Sequence, residues 1–338
     1  MMKTKLSVAA MALLLASCSS NETDILPEGP VNATPIQVSQ SVRGMATSRA
    51  VAAEGAEVTA TVLMHDGTSG DWSGFTPVTK NELNDPEGTL KTRATISNAT
   101  FKVGSAAADL GLNPTLYHHE SNTGTESFLA AVSPAGEVAG TVVTFLQTDG
   151  LQDVMYAAEK SAGTSNSSTK AALAFEHLTT QLNFAMKLEA ATDNGEWADV
   201  TVSVKNIEVQ EAYRPVSVDG ANGNVVWDKV NGGTLPVPGI SNNTLGADAV
   251  KVGTPVMIQA AAKLVVCAII NVGGTDIPFH NVPVKNASGA DLATVKGEAH
   301  LITLTVKEPT AATGAVKVTA SATVTPWKDG APGNATLD

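Results

Sequence analysis

His118 and His119 stand side by side, and Asp149 with Asp153 and Glu196 with Asp199 form short carboxylate pairs; these residue types suit metal ligation or proton transfer. Two ligands of one ion must converge, yet neighbours in an extended strand point to opposite faces, so His118 and His119 do not suit a shared metal. His177, His280 and His300 each stand alone in β-patterned surroundings, where they fit core or edge positions better than ligand positions. The run Asp219-Gly220-Ala221-Asn222-Gly223-Asn224 resembles a calcium loop in composition but lacks the spaced acidic ligands and the closing glutamate, so it reads as a turn. The carboxylate pairs fall in turn regions of an acidic chain and read as surface charge. No nucleophile elbow, zinc-protease helix, phosphate loop or dinucleotide fingerprint occurs. The expectation is therefore no catalytic residue, no metal and no cofactor, and an enzyme is the class with least support. Trp72, Trp197, Trp227 and Trp327 would make a glycan site only if they converged; at 4% aromatic content they are better used in cores.

The thiol with a chemical context is Cys18. Lys3 and Lys5 open the chain, eleven largely apolar residues run from Leu6 to Ala16, and Leu15-Ala16-Ser17-Cys18 closes the run with small residues before the cysteine. This is an export signal, too short to span a bilayer that needs roughly 20 helical residues. The last four residues resemble a bacterial lipobox. That resemblance implies removal of residues 1–17 and acylation of Cys18, which anchors the chain in a membrane without crossing it. The other cysteine, Cys267, sits in the apolar run Leu264 to Ile270 and reads as a buried structural thiol with no disulfide partner.

Composition decides what these residues are mounted on. With 21 basic and 33 acidic residues the formal charge is −12; loss of Lys3 and Lys5 leaves 19 against 33, a net of −14. Nucleic acid and anionic headgroups demand the opposite sign, which argues against both as partners. Only 16% of residues are charged, while Val, Thr, Ala, Asn and Gly abound, the palette of β-structure with turn-rich connections. The length suits two domains with separate cores.

Ile36-Gln37-Val38 alternates like one strand edge. Val58, Ala60, Val62 and Met64 oppose Thr59, Thr61 and Leu63; residues 66–92 are rich in Gly and Pro and read as a loop or short hairpins; further short strands follow to Ala158. Gly163 to Lys170 carries no apolar residue and reads as a linker, which sets an N-terminal β-sandwich at 51–170 and a C-terminal one at 171–338. Leu173 to Leu188 has some helical spacing, but Leu182, Phe184, Met186 and Leu188 alternate and predict a strand. The alternation of Val200, Val202 and Val204 slips at Asn206, as at a β-bulge, and a hairpin is expected at 219–224 ahead of Val225-Val226-Trp227. Leu264 to Ile270 predicts a strand buried on both faces. The most regular stretch sets Val316, Val318, Ala320, Ala322 and Val324 against Lys317, Thr319, Ser321, Thr323 and Thr325, about 33 Å of strand if fully extended.

Several of these stretches together resemble the fimbrillin family, the lipoprotein-derived subunits of type V pili in Bacteroidales: Cys18 with its lipobox; Pro35 to Val38 followed by Ser48-Arg49-Ala50; Phe128 to Pro134; Gln152 to Ala157; Phe175 to Leu178 with Gln181 to Phe184; Gly297 through Val306; and Val324-Thr325-Pro326-Trp327. His300 departs from the pattern, standing near the position where an aromatic precedes the Leu-x-Leu strand. The resemblance implies an all-β chain of two tandem transthyretin-like β-sandwich domains after a cleaved lipoprotein signal peptide, with a lipidated tether and removable strand in residues 18–50. It implies an outer-membrane, surface-exposed precursor and an extracellular fimbrial mature form. An arginine-specific surface protease would cut between Arg49 and Ala50, or as fallback between Arg43 and Gly44, and take away Ile36 and Val38. Other pilus subunits would then fill the opened edge by strand addition, with a donor strand within residues 315–327. On the residues alone that last strand fits an internal strand equally well, and two arginines amid small residues fit a plain linker. A lipid-retaining anchor or tip subunit, and a monomeric surface glycan-binding lipoprotein, stand as alternatives.

Overall fold

A computed structural model describes residues 33–42, 56–83, 90–103, 108–119, 124–145, 150–189, 200–230, 233–307 and 317–326, with Ala108 and residues 317–326 described by backbone alone. The alternating, Val- and Thr-rich segments form strands, and no helix occurs among the described residues. The first half supplies β1 (Val38–Val42), β2 (Glu57–Gly67), β3 (Glu82–Leu83), β4 (Leu90–Thr92), β5 (Ile96–Lys102), β6 (Ala108–Asp109), β7 (Leu112–Asn113), β8 (Glu126–Ser133), β9 (Glu137–Ala139), β10 (Val142–Thr144), β11 (Met155–Thr164), β12 (Ser167–Ser168) and β13 (Ala171–His177). The second supplies β14 (Thr180–Leu188), β15 (Val202–Gln210), β16 (Tyr213–Asp219), β17 (Val225–Lys229), β18 (Thr234–Pro236), β19 (Val250–Ile258), β20 (Val265–Val272), β21 (Thr275–Lys285), β22 (Glu298–Lys307) and β23 (Lys317–Pro326).

A nine-stranded sheet runs β6-β1-β13-β11-β8-β2-β5-β7, with β12 beside β11. It folds over on itself: Phe101 of β5 stacks on Phe175 of β13 with ring centroids 4.9 Å apart, although three strands separate them in the sheet order. β2 is buried from both sides, with Ala60, Val62 and Met64 in one core and Leu63 in another. That second core is closed by a four-stranded sheet, β17-β16-β10-β9, whose strands come from both halves of the chain. Val143 of β10 and Val218 of β16 pack with Leu63, and Gly220 passes so close that a Cβ there would stand 2.0 Å from the Leu63 Cδ1.

The C-terminal strands form an eight-stranded sheet, β18-β15-β20-β21-β23-β22-β14-β19, around a core that includes Leu182, Phe184, Met186, Val204, Ile207, Val266, Ile270, Ile302 and Leu304. The strand over 182–188 forms as expected, the register of β15 against β20 shifts between Val204 and Asn206, and the 219–224 hairpin joins β16 to β17.

Three expectations change. Gly163 to Lys170 is the hairpin that carries β12: Gly163 at φ +75° lets the chain reverse, and the next strand, β13, stays in the N-terminal sheet. The change of sheet falls between His177 and Thr180. β20 buries only Val266, Ala268 and Ile270 fully; Val265, Cys267 and Ile269 are half-buried, because just one face of the sheet meets the core. Cys267 therefore sits partly exposed, its sulfur accepting a hydrogen bond from Gln210 Nε2 at 2.9 Å.

Candidate functional site

The sequence Pro35-Ile36-Gln37-Val38 builds the part of the molecule with the most unusual placement. Ile36 and Val38 alternate with exposed Gln37, so both side chains enter the N-terminal core, where they cluster with Leu110, Leu116, Leu173 and Phe175. The backbone is tied on both sides. Ile36 N–H donates to the Leu116 carbonyl at 2.8 Å and Leu110 N–H to the Val38 carbonyl at 2.8 Å; Ala171 N–H donates to the Gln37 carbonyl at 3.0 Å. β1 runs parallel to β13 from Val38↔Ala171 to Val42↔Phe175, and antiparallel to β6 over two residues. It is thus an inserted strand, not the edge that its alternation suggested. Parallel neighbours cannot be joined by a tight turn, so β1 reaches its place only through a long crossover.

β23 lies antiparallel to β22 along its whole length, Val318 opposite Val306, Ala320 opposite Leu304, Ala322 opposite Ile302 and Val324 opposite His300. Its other side meets β21 only at Val284↔Ala320 and Lys285↔Ser321. The described part of the strand runs to Pro326, and the expected stop at Pro326-Trp327 lies at the limit of the described residues. Cys18, Arg43, Gly44, Arg49, Ala50 and Val316 lie outside the described residues, as do Asp149, Glu196, Asp199, Trp197 and Trp327.

The histidines are dispersed. His118 is buried with Nε2 at 3.1 Å from Ser168 Oγ, and burial lowers its pKa, with Asp66 opposing and Arg93 assisting; His119 is half-buried. His300 is fully buried and burial lowers its pKa too, while His280 is exposed. His177 pairs through Nδ1 with Asp153 at 2.6 Å, and Thr179 Oγ1 donates to the other Asp153 oxygen at 3.2 Å. Asp153 is thereby a buried structural carboxylate, which corrects its reading as surface charge; its side chain is 4% exposed. The Asp219 carboxylate accepts from Ala221 N–H and Asn222 Nδ2, which fixes a turn.

The sequence reading passed over a cluster around Glu159. His65 Nε2 lies 2.8 Å from one Glu159 oxygen, while Ser69 Oγ and Gly70 N–H donate to the other at 2.6 and 2.8 Å. Burial pushes the Glu159 carboxyl up, but the bonds from Ser69, His65 and Gly70 together outweigh it and the net shift is downward. The arrangement straps residues 69–75 over the sheet, with Trp72 against His65 and Phe75 against Trp72. No local signal joins His65 to a glutamate 94 residues away. Trp72 is buried there, and among the described residues no group of three His, Cys, Asp or Glu is placed to hold a metal.

No protein-family model and no curated protein sequence matches the chain. Among solved structures, the chain is similar to a fimbrial protein from Bacteroides vulgatus, at 11% identity over 87% of this chain and all of that one, with a TM-score of 0.45. It is similar to a fimbrilin from Porphyromonas gingivalis at 12% identity over 87% of this chain and 98% of that one, TM-score 0.41. A Bacteroides uniformis structure described as a candidate cell adhesion protein aligns at 16% identity over 86% and 99%, TM-score 0.46.

Proposed function

We propose that this chain is a structural, non-enzymatic fimbrial subunit of the fimbrillin type that contributes to cell adhesion. On this reading it is exported as an outer-membrane lipoprotein acylated on Cys18. Cleavage after Arg49, or after Arg43, then removes the segment bearing β1, and the subunit polymerises by strand exchange.

The observation that carries the reading is the seat of β1. Taking away the chain through Arg49 would strip five parallel register pairs from β13 and remove Ile36 and Val38 from the core. Each such side chain contributes about 1.5–3 kcal/mol by leaving water. The edge of β13 and the apolar groups of Leu110, Leu116, Leu173 and Phe175 would then form a slot for a strand from another subunit, with main-chain bonds supplying affinity and alternation supplying register. The alternating Val318, Ala320, Ala322 and Val324 of a neighbouring copy match that need. Each subunit would offer a different surface at its two ends, so repetition gives an open filament.

A second reading is a subunit that keeps its lipid and anchors or caps the filament. The full ladder between β23 and its own β22 favours it, since a strand bound within its own sheet is not free to leave. Intact mass and N-terminal sequencing of the protein shed from its native cells, with an unheated gel, separates the two. A start at Ala50 or Gly44 with a heat-labile ladder supports the shaft subunit. A start at acylated Cys18 with monomer alone supports the anchor. Deleting Val316 to Asp338 is expected to leave a secreted monomer; normal filaments from that truncation would rule out β23 as donor.

A further inference from the structure

The chain carries 4 arginines against 17 lysines. Arg43 and Arg49 lie between β1 and β2 in sequence; the other two, Arg93 and Arg214, belong to the described body, and each is paired with a carboxylate. Arg93 follows β4, where one guanidinium nitrogen contacts Asp66 and another donates to the Tyr117 carbonyl at 2.9 Å. Asp66 is itself fixed by the Ser127 hydroxyl at 2.8 Å. Arg214 lies on β16 and reaches Asp228 on β17 at 3.3 Å. The two side chains are only 18% and 17% exposed. Lysines are treated otherwise: the side chain of Lys80, on the irregular stretch before β3, is 75% exposed and that of Lys263 is 55% exposed.

An arginine-directed endopeptidase must take the guanidinium into an acidic pocket and hold the flanking backbone extended in its cleft. At Arg93 the guanidinium is committed to Asp66 and Tyr117, and freeing it leaves a half-buried carboxylate without its counter-charge. At Arg214 the enzyme must part β16 from β17, and the bond then presented runs to Pro215, a tertiary amide with no N–H and a fixed φ. Cleavage at either site thus waits on an opening of the fold, whereas an exposed loop needs little or none.

We infer that the placement of its arginines shields the folded body from arginine-directed cleavage, while lysine-directed cleavage is left open. The inference rests on the maturation reading above, to which it adds a reason why processing stops: the enzyme that cuts ahead of β2 meets no second usable arginine.

The test is native digestion of the full chain with an arginine-specific endopeptidase and, in parallel, a lysine-specific one, read by intact and peptide mass. The expected result is an uncut body with the first enzyme and cleavage after Lys80 with the second. Lys80→Arg, a conservative exchange on an exposed side chain, is expected to add one arginine-specific cut after residue 80, at least about tenfold faster than any cut after Arg93 or Arg214. Native wild-type cleavage after Arg93 or Arg214 at a comparable rate overturns the inference. So does a Lys80→Arg chain that resists the enzyme, since resistance would then belong to the fold and not to arginine placement. An intact body with no cut at Arg43 or Arg49 counts against the maturation reading alone and leaves the shielding standing.

Discussion

β1 and β14 open the two halves of the molecule, and each runs parallel to a strand near the end of its half, β13 and β22. The likeness ends there. β14 has eight parallel pairs with β22 and six antiparallel pairs with β19, and it buries Leu182, Phe184 and Met186. β1 has five pairs with β13 and two with β6, with Val38 as its fully buried apolar residue and Ile36 buried just ahead of it. The same topological place is thus filled once by a strand built into its core and once by a short strand resting in it. The cost of losing either follows from pair count and side-chain volume, and both are smaller for β1, as its removal on the proposed maturation would require.

The largest expected effect breaks the comparison if it fails. Phe184→Ala removes a large side chain from the centre of the C-terminal core and is expected to cost about 3–5 kcal/mol in urea unfolding. Ile36→Ala would by volume cost about 2–5 kcal/mol, but the cost is capped by the free energy of undocking β1 alone. Its expected signature is local: faster amide exchange at β13 residues 171–175, with global stability falling by less than for Phe184→Ala. Equal global losses with no local exchange would show β1 to be as integral as β14.

The next effect tests whether the halves are separable. Hairpin β16–β17 belongs by sequence to the C-terminal half, yet it closes the second N-terminal core through Val218 and pairs with β10. Gly220→Ala places a methyl against Leu63 and near the Thr141 carbonyl, and overpacking of this kind costs about 1–3 kcal/mol. The expected outcome is a lower stability for both halves in one transition, followed by far-UV and tryptophan signals together. Two separated transitions in the wild type would mean that the hairpin couples nothing.

What could be read in advance divides along local and distant information. The alternation of Leu182, Phe184 and Met186, the slip at Asn206 and the 219–224 turn are all period-two or turn signals contained in a few residues. The strand at β20 was legible, but its unbroken apolar run did not say which face is inward, and the exposure of Cys267 depends on what covers the outer face of the sheet. Gly163 to Lys170 misled because a polar hairpin and a polar linker share one composition. The hairpin β16–β17 was recognised as a unit, while its docking on β10 depends on Gly220 meeting Leu63, an approach across 157 residues that no spacing rule supplies. At the candidate site, Ile36 and Val38 announced a strand, but nothing in the sequence said that its neighbours would be β6 and β13. His177 with Asp153 and His65 with Glu159 were unreadable for the same reason.

The finest distinction between the two first strands is one of proton binding, because each has a buried imidazole beside it. The His118 backbone N–H donates to the Thr34 carbonyl at 3.0 Å, just ahead of Ile36, while its ring faces Ser168; His300 stands opposite Leu182 of β14. Burial lowers the pKa of both, so both stay neutral in the fold at a pH where the unfolded chain, near its ordinary value of about 6.5, takes up a proton. The unfolded state then binds more protons, so stability rises with pH across this window and falls as the solution is acidified from about 6.5 toward the lowered folded values. Each histidine supplies at most about 1.4 kcal/mol per pH unit. His300→Phe is expected to flatten the decline in global stability, because β14 unfolds only with its core. His118→Phe is expected to act chiefly on exchange along β13, because β1 can leave by itself. If both substitutions flatten the global curve equally, β1 and β14 are held with equal force, and the difference in their ladders has no thermodynamic counterpart.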